Sequence, residues 1–299
     1  MDNRDTFSGF HPLVNFVYFG FVLAFAMIFT HPVCLALSFF CAFIYSVYLT
    51  GSKVVRFTLV YMLPMLLFAA LINPAFNHEG GTILTYLPSG NPLTLEAILY
   101  GVAAAAMLIT VITWFSCFNV VITSDKFVFL FGRIIPALSL ILAMALRFVP
   151  RFKAQIKVIS NAQKCVGRDA SDGNILQKAK HGIRILSIMV TWALENAVES
   201  ADSMKSRGYG LPGRTAFLIY RFDKRDGRAL VFILACAAYI IVGSVTNGLY
   251  FRYFPTVQGI WETPYAISIF TIYFALCATP LVVNIKEDLA WRAIAAKTH

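Results

Sequence analysis

Six stretches of this chain run on without an Asp, Glu, Lys or Arg: residues 14–30, 33–49, 57–72, 97–122, 229–250 and 264–285. Uncharged apolar runs of about 17–25 residues are the length at which a helix crosses the hydrocarbon core of a bilayer. That one feature removes most globular folds from consideration. Composition agrees, with 59% apolar and 13% charged residues, against about 45–50% and 25% in soluble domains. The runs predict an all-α polytopic membrane protein with about six transmembrane helices.

Charge then divides the chain. Residues 123–228 hold 18 Lys/Arg and 8 Asp/Glu, which accounts for the entire net charge of +10. A basic excess of this kind could serve nucleic acid. Bracketed by membrane runs, it is accounted for by the cytoplasmic bias of Lys and Arg, and no nucleic acid is expected. The segment 73–96 has Gly and Pro signals and no Lys or Arg, so it is expected to be a loop on the opposite side of the membrane. Three parts follow: an N-terminal four-helix membrane part (1–122), cytoplasmic or interfacial helices (123–228), and a C-terminal helix pair with its tail (229–299). Both termini are expected on the cytoplasmic side.

Residues 127–149 are apolar but carry Arg133, Pro136 and Arg147. The uncharged stretch between the arginines is too short for a vertical span, so this segment is expected to lie in the interface. Beyond it, 150–167 and 183–207 have helical patterns and end alike, in Lys164-Cys165-Val166-Gly167 and Lys205-Ser206-Arg207-Gly208. A glycine just past a helix and a cation in its last turn are ordinary helix-end chemistry. In the second helix Ala193, Ala197 and Ala201 recur every fourth residue, a stripe of small residues suited to close packing. Glu195, Glu199 and Asp202 mark a polar side.

Several chemistries are disfavoured. The spans as drawn hold no ionisable carboxylate or amine, which ion-coupled carriers need at membrane depth. The five histidines are scattered, and the six cysteines show no paired or metal-ligand spacing, so neither metal nor disulfide is expected. Residues 208–215 look like a phosphate-binding loop with Arg214 in place of lysine. That loop needs a strand before it, whereas here a helix precedes it, so no nucleotide cofactor is expected.

The pattern Trp192, Glu195, Ala197, Ala201, Met204, Arg207, Gly208, Tyr209 resembles the signature of the transmembrane (T) components of energy-coupling factor transporters, ATP-driven importers of vitamins and other micronutrients. Ser160, Asn161, Ala162, Gln163, Gly167, Arg168 and Asp169 resemble the first signature of the same family. The resemblance implies a non-catalytic scaffold in a prokaryotic cell membrane. Its cytoplasmic coupling helices would dock their tips into two ABC ATPase subunits, while the rest holds a substrate-binding membrane subunit, the S component. Ser206, Arg207 and Gly208 match the second tip. Cys165, Val166 and Gly167 match the first only at glycine, since Val166 stands where arginine is expected; Lys164 and Arg168 are the charged contacts at hand. The alternative from another class is a membrane enzyme of lipid or prenyl phosphates, which needs acidic clusters for Mg²⁺. The nearest candidates are Asp169 with Asp172 and Asp223 with Asp226, all in basic surroundings that read as turns. A stand-alone channel is disfavoured by the lack of a polar stripe.

Overall fold

The computed structural model describes residues 5–77, 79–86, 92–132, 136–167, 174–209, 220–259 and 263–298. The chain is an all-α polytopic membrane protein that divides into two compact units. One unit joins Met1–Lys126 with Tyr220–His299, and the other is Phe127–Ile219.

In the first unit, α1 (Pro12–Ile28) and α2 (Pro32–Thr50) form a hairpin, each opened by a proline behind a histidine whose side chain accepts a backbone N–H. Proline at the first helical position costs nothing, because that N–H has no partner inside the helix. Next come α3 (Ser52–Phe57), a π-helical turn (Thr58–Met62) and α4 (Leu63–Phe76). Pro64 lies just beyond the π turn; lacking an N–H, it cannot continue the α ladder, and a wider turn absorbs the mismatch. The unit continues through α5 (Leu95–Val121); α6 (Ser124–Gly132) starts in it and passes into the second unit at Phe127, and α9 (Lys224–Val245) and α10 (Pro264–Thr298) complete it.

Among the described residues, five helical segments are long and apolar enough to cross a membrane: Pro32–Thr50, Val54–Phe76, Leu95–Val121, Lys224–Val245 and Pro264–Trp291. α1, with 17 residues and a length of about 25 Å, sits at the lower limit. It nevertheless runs the bundle from end to end. Near its start Phe7 bonds Asn284, and just past its finish the Thr30 carbonyl accepts from Tyr253.

Aromatic side chains fill the centre. Trp114, Tyr18, Tyr45, Phe19 and Tyr273 are all buried. Trp114 Nε1 donates to Ser38 Oγ at 2.9 Å, and Tyr18 donates to the Cys277 carbonyl at 3.1 Å. α5 approaches α4 through buried Ala97, Gly101 and Ala105. A Cβ at Gly101 would come within 2.7 Å of the Ala70 carbonyl, so this glycine is what lets the two backbones meet. All six cysteines are free thiols.

Several sequence-based boundaries move. The segment 73–96 is not all loop: α4 runs to Phe76, and Ile83–Tyr86 (β1) pairs antiparallel with Pro92–Thr94 (β2). A second small ribbon pairs Phe251–Arg252 (β3) with Gln258–Gly259 (β4). α9 starts five residues before the expected span, because Asp226 Oδ2 accepts the Asp223 N–H and closes a capping box. A carboxylate also stands in the first turn of α5, where buried Glu96 accepts from the Thr82 backbone and hydroxyl.

The second unit is mostly two long helices, α7 (Pro136–Cys165) and α8 (Ile175–Ser206). The expected border at 149/150 does not exist, since α7 passes unbroken through Pro150. Pro150 is exposed, so the helix carries it on an open face. α8 begins eight residues earlier than its sequence pattern suggests. Asn174 caps it and Gln177 returns the bond, and Gly182 is carried inside the helix.

Candidate functional site

The residues singled out by the two end motifs lie at the ends of α7 and α8. The helices meet near their middles, where Phe152 packs edge-on to Trp192 at 5.6 Å and Phe148 stacks on Phe152 at 5.9 Å. The Arg151 guanidinium lies over the Trp192 ring at 5.5 Å, within cation–π range. Ile159 on α7 and Met189 on α8 are buried. From the aromatic contact, Cys165 lies 13 residues along α7 and Ser206 lies 14 along α8. At a rise of 1.5 Å per residue, each end stands about 20 Å from the crossing.

Both ends share an inner closing bond. In α8 the Gly208 N–H donates to the Lys205 carbonyl and the Tyr209 N–H to the Met204 carbonyl, both at 3.1 Å. That pair of bonds is a Schellman closure. In α7 the Gly167 N–H donates to the Lys164 carbonyl at 3.0 Å, the matching inner bond. Gly167 and Gly208 have φ of 73° and 74°, the left-handed conformation that residues bearing a Cβ adopt at a cost. The result at each end is a compact knob with side chains outward. Ser206 and Arg207 are exposed and Gly208 is half-buried, while Cys165, Val166 and Gly167 are exposed. Val166 presents 64% of its surface. Lys164 is exposed beside it. Arg168 lies outside the described residues, as do Asp169, Asp172 and most of the glycine loop 208–215.

The alanine stripe falls at the margin of the helix contact. Ala193 is half-buried, whereas Ala197 and Ala201 are exposed. The side of α8 covered by α7 is instead the one carrying Met189, Trp192 and Asn196, about a third of a turn away. Ala197 and Ala201 share the other side with Ile183, Leu186, Val190, Leu194 and Val198, each of which exposes half or more of its surface. α8 therefore has two apolar sides, one against α7 and one open.

The sequence pattern missed a set of side chains at the end of the bundle from which Phe127–Ile219 departs. Asp5, Lys126 and Asp226 belong to it. Lys126 Nζ donates to the carbonyls of Ser8 and Val121. Burial holds its ammonium below the usual lysine range, opposed by the Asp5 carboxylate. Asp226, read as one half of a possible Mg²⁺ pair, spends both carboxylate oxygens on the backbone N–H groups of His11 and Asp223.

A bundle of membrane helices interrupted by a pair of long helices with matching glycine-stopped ends defines a class: a polytopic membrane protein with a helical arm. The family model described as CbiQ, cobalt transport protein, matches residues 11–217, from α1 past the end of α8. The chain belongs to that family. Relatives include the energy-coupling factor transporter transmembrane proteins EcfT of Lactococcus lactis subsp. cremoris (36% identical over 108 residues, 36% of this chain and 41% of the relative) and Lactobacillus helveticus (32% over 106 residues, 35% and 38%). The EcfT of Lacticaseibacillus paracasei is 40% identical over 90 residues, 30% of this chain and 34% of the relative. The matched stretches span well under half the length of these relatives.

Proposed function

We propose that this protein is the transmembrane coupling subunit of an ATP-driven importer of the energy-coupling factor type, for vitamins or other micronutrients, in a prokaryotic cell membrane. It carries no catalysis of its own. The exposed knobs at Cys165, Val166, Gly167 and at Ser206, Arg207, Gly208 each seat in one of two ABC ATPase subunits, and the substrate is held by a separate membrane S component. The observation that carries the reading is the likeness of the two ends, which share the inner closing bond, glycine conformation and distance from the crossing. Two knobs of like backbone on crossed levers suit two similar motor subunits. Motion of either knob turns its helix about the Phe152–Trp192 contact. The open apolar side of α8 offers the S component a surface that moves with the lever.

Arg207 supplies five donors in a rigid fork, suited to acidic or carbonyl groups in a receiving groove. The test is co-expression of this chain with candidate ATPase and S subunits, followed by affinity purification through this chain. Recovery of both ATPases supports the reading. A chain that purifies alone, or that binds ATP in calorimetry without them, contradicts it.

A further inference from the structure

Two stretches of backbone join the helical arm to the bundle, one leaving at Lys126 and one returning at Tyr220. Both are held by the same short segment at the start of the chain. On the outgoing side, Lys126 Nζ donates to the Ser8 carbonyl and also to the Val121 carbonyl at the end of α5. On the returning side, Asp226 Oδ1 accepts the His11 N–H at 3.2 Å. The Arg225 guanidinium lies 4.1 Å over the Phe10 ring, and Phe222 packs edge-on to His11 at 5.3 Å. The segment itself is pinned from below. Asp5 accepts from Asn284 Nδ2 at 2.6 Å and from the Tyr45 hydroxyl at 3.1 Å, the Phe7 N–H donates to Asn284 Oδ1, and Phe7 and Phe10 are buried in the core.

The electrostatics fit a permanent fastening. Asp226 places negative charge at the N-termini of α1 and α9, and Lys126 places positive charge at the C-terminus of α5, so each charge faces the favourable end of a helix dipole. Three helices are thereby tied to one turn of chain. The contacts span 118, 215 and 279 residues of sequence separation, so they report tertiary design rather than local turn chemistry.

We infer that residues 5–11 form a clamp that locks the outgoing and returning connections of the arm into one rigid base, with Lys126 and Asp226 as its positioning residues. The inference rests on the coupling role proposed above for its purpose, though not for its geometry. With the base locked, displacement of the arm moves α1, α5 and α9 together. With it loose, the arm swings on two independent strands and its motion is dissipated.

The geometry is tested on the purified chain in nanodiscs, with no partner present, by amide hydrogen exchange of wild type and Lys126→Met. A clamp transmits the loss: exchange at 223–228 on the returning side accelerates along with 8–11, by about tenfold for two lost hydrogen bonds. Acceleration confined to 121–126, with 223–228 unchanged, overturns the inference. Asp226→Ala is the converse variant and must accelerate 121–126. If either variant does not fold, wild-type exchange decides. The groups 7–11, 121–126 and 223–228 must share one opening rate, and distinct rates overturn the clamp. The purpose is read in the assembled transporter, where Lys126→Met should keep both ATPases and their hydrolysis while uptake per ATP falls about tenfold. Unchanged uptake per ATP overturns the coupling role of the clamp. Failure of the wild-type chain to recruit ATPases bears on the function proposed above and leaves the exchange result standing.

Discussion

The ends of α7 and α8 are alike in backbone and unlike in chemistry. Each stops on a left-handed glycine closed by the same inner hydrogen bond, and each stands about 20 Å from the Phe152–Trp192 contact. At the residue before the glycine they part: Arg207 on α8 carries a charged fork, and Val166 on α7 carries two methyl groups. Shape is thus conserved between the two knobs while the means of attachment is not. A partner groove can grip the first by fit and desolvation alone, but the second also by charge-assisted hydrogen bonds, which are about twice as strong as neutral ones.

The largest effect expected from this contrast is at Arg207. Removing one partner of a buried, hydrogen-bonded charge pair costs about 2–5 kcal/mol, much of it from stranding the other group. Arg207→Ala should therefore weaken ATPase association about thirtyfold or more, measured by titrating ATPase against the purified chain. A β-branched side chain at the glycines should come next and should not discriminate. Gly167→Val and Gly208→Val each force a left-handed residue at about 1–2 kcal/mol. Both knobs should lose order equally, as amide exchange of the last helical turn would show. Unequal responses would break the claim that the backbones are equivalent.

Val166→Ala removes two buried carbons in the complex, about 1.6 kcal/mol at about 0.8 per carbon, so its effect on the same titration should fall below that of Arg207→Ala. The reciprocal change, Val166→Arg, sharpens the comparison. If the grooves are alike, it should tighten association; if the first groove is apolar, it should loosen it. Smallest of all is the effect of Arg207→Ala on the isolated chain. A cation in a last helical turn contributes about 0.3–1 kcal/mol, so thermal unfolding without partners should barely shift.

What the sequence made legible was whatever lies within one element. Uncharged runs located the membrane helices, and glycine with a preceding cation located both knobs, because helix length and helix stops are properties of consecutive residues. The continuity of α7 was harder, since Pro150 and the shift from apolar to basic residues both suggest a border. The helix nevertheless passes through Pro150, which is exposed. The alanine stripe marked a face of small residues without saying what meets it; α8 meets α7 through Phe152 and Trp192, a contact that no pattern within one helix announces. The clamp could not be read at all. Asp5, Lys126, Asp226 and Asn284 are ordinary polar residues until the fold brings them to one end of the bundle.

The central claim is that α7 and α8 are levers whose ends seat in ATPase subunits, with Arg207 the stronger attachment. The most direct measurement is recovery of both ATPases on the affinity-tagged chain, comparing wild type, Val166→Ala and Arg207→Ala at matched thermal stability. The account predicts that wild type retains both subunits, Val166→Ala retains most of them, and Arg207→Ala loses at least one. Full recovery of both ATPases by Arg207→Ala, with uptake intact, would make the residue a helix-end charge and nothing more.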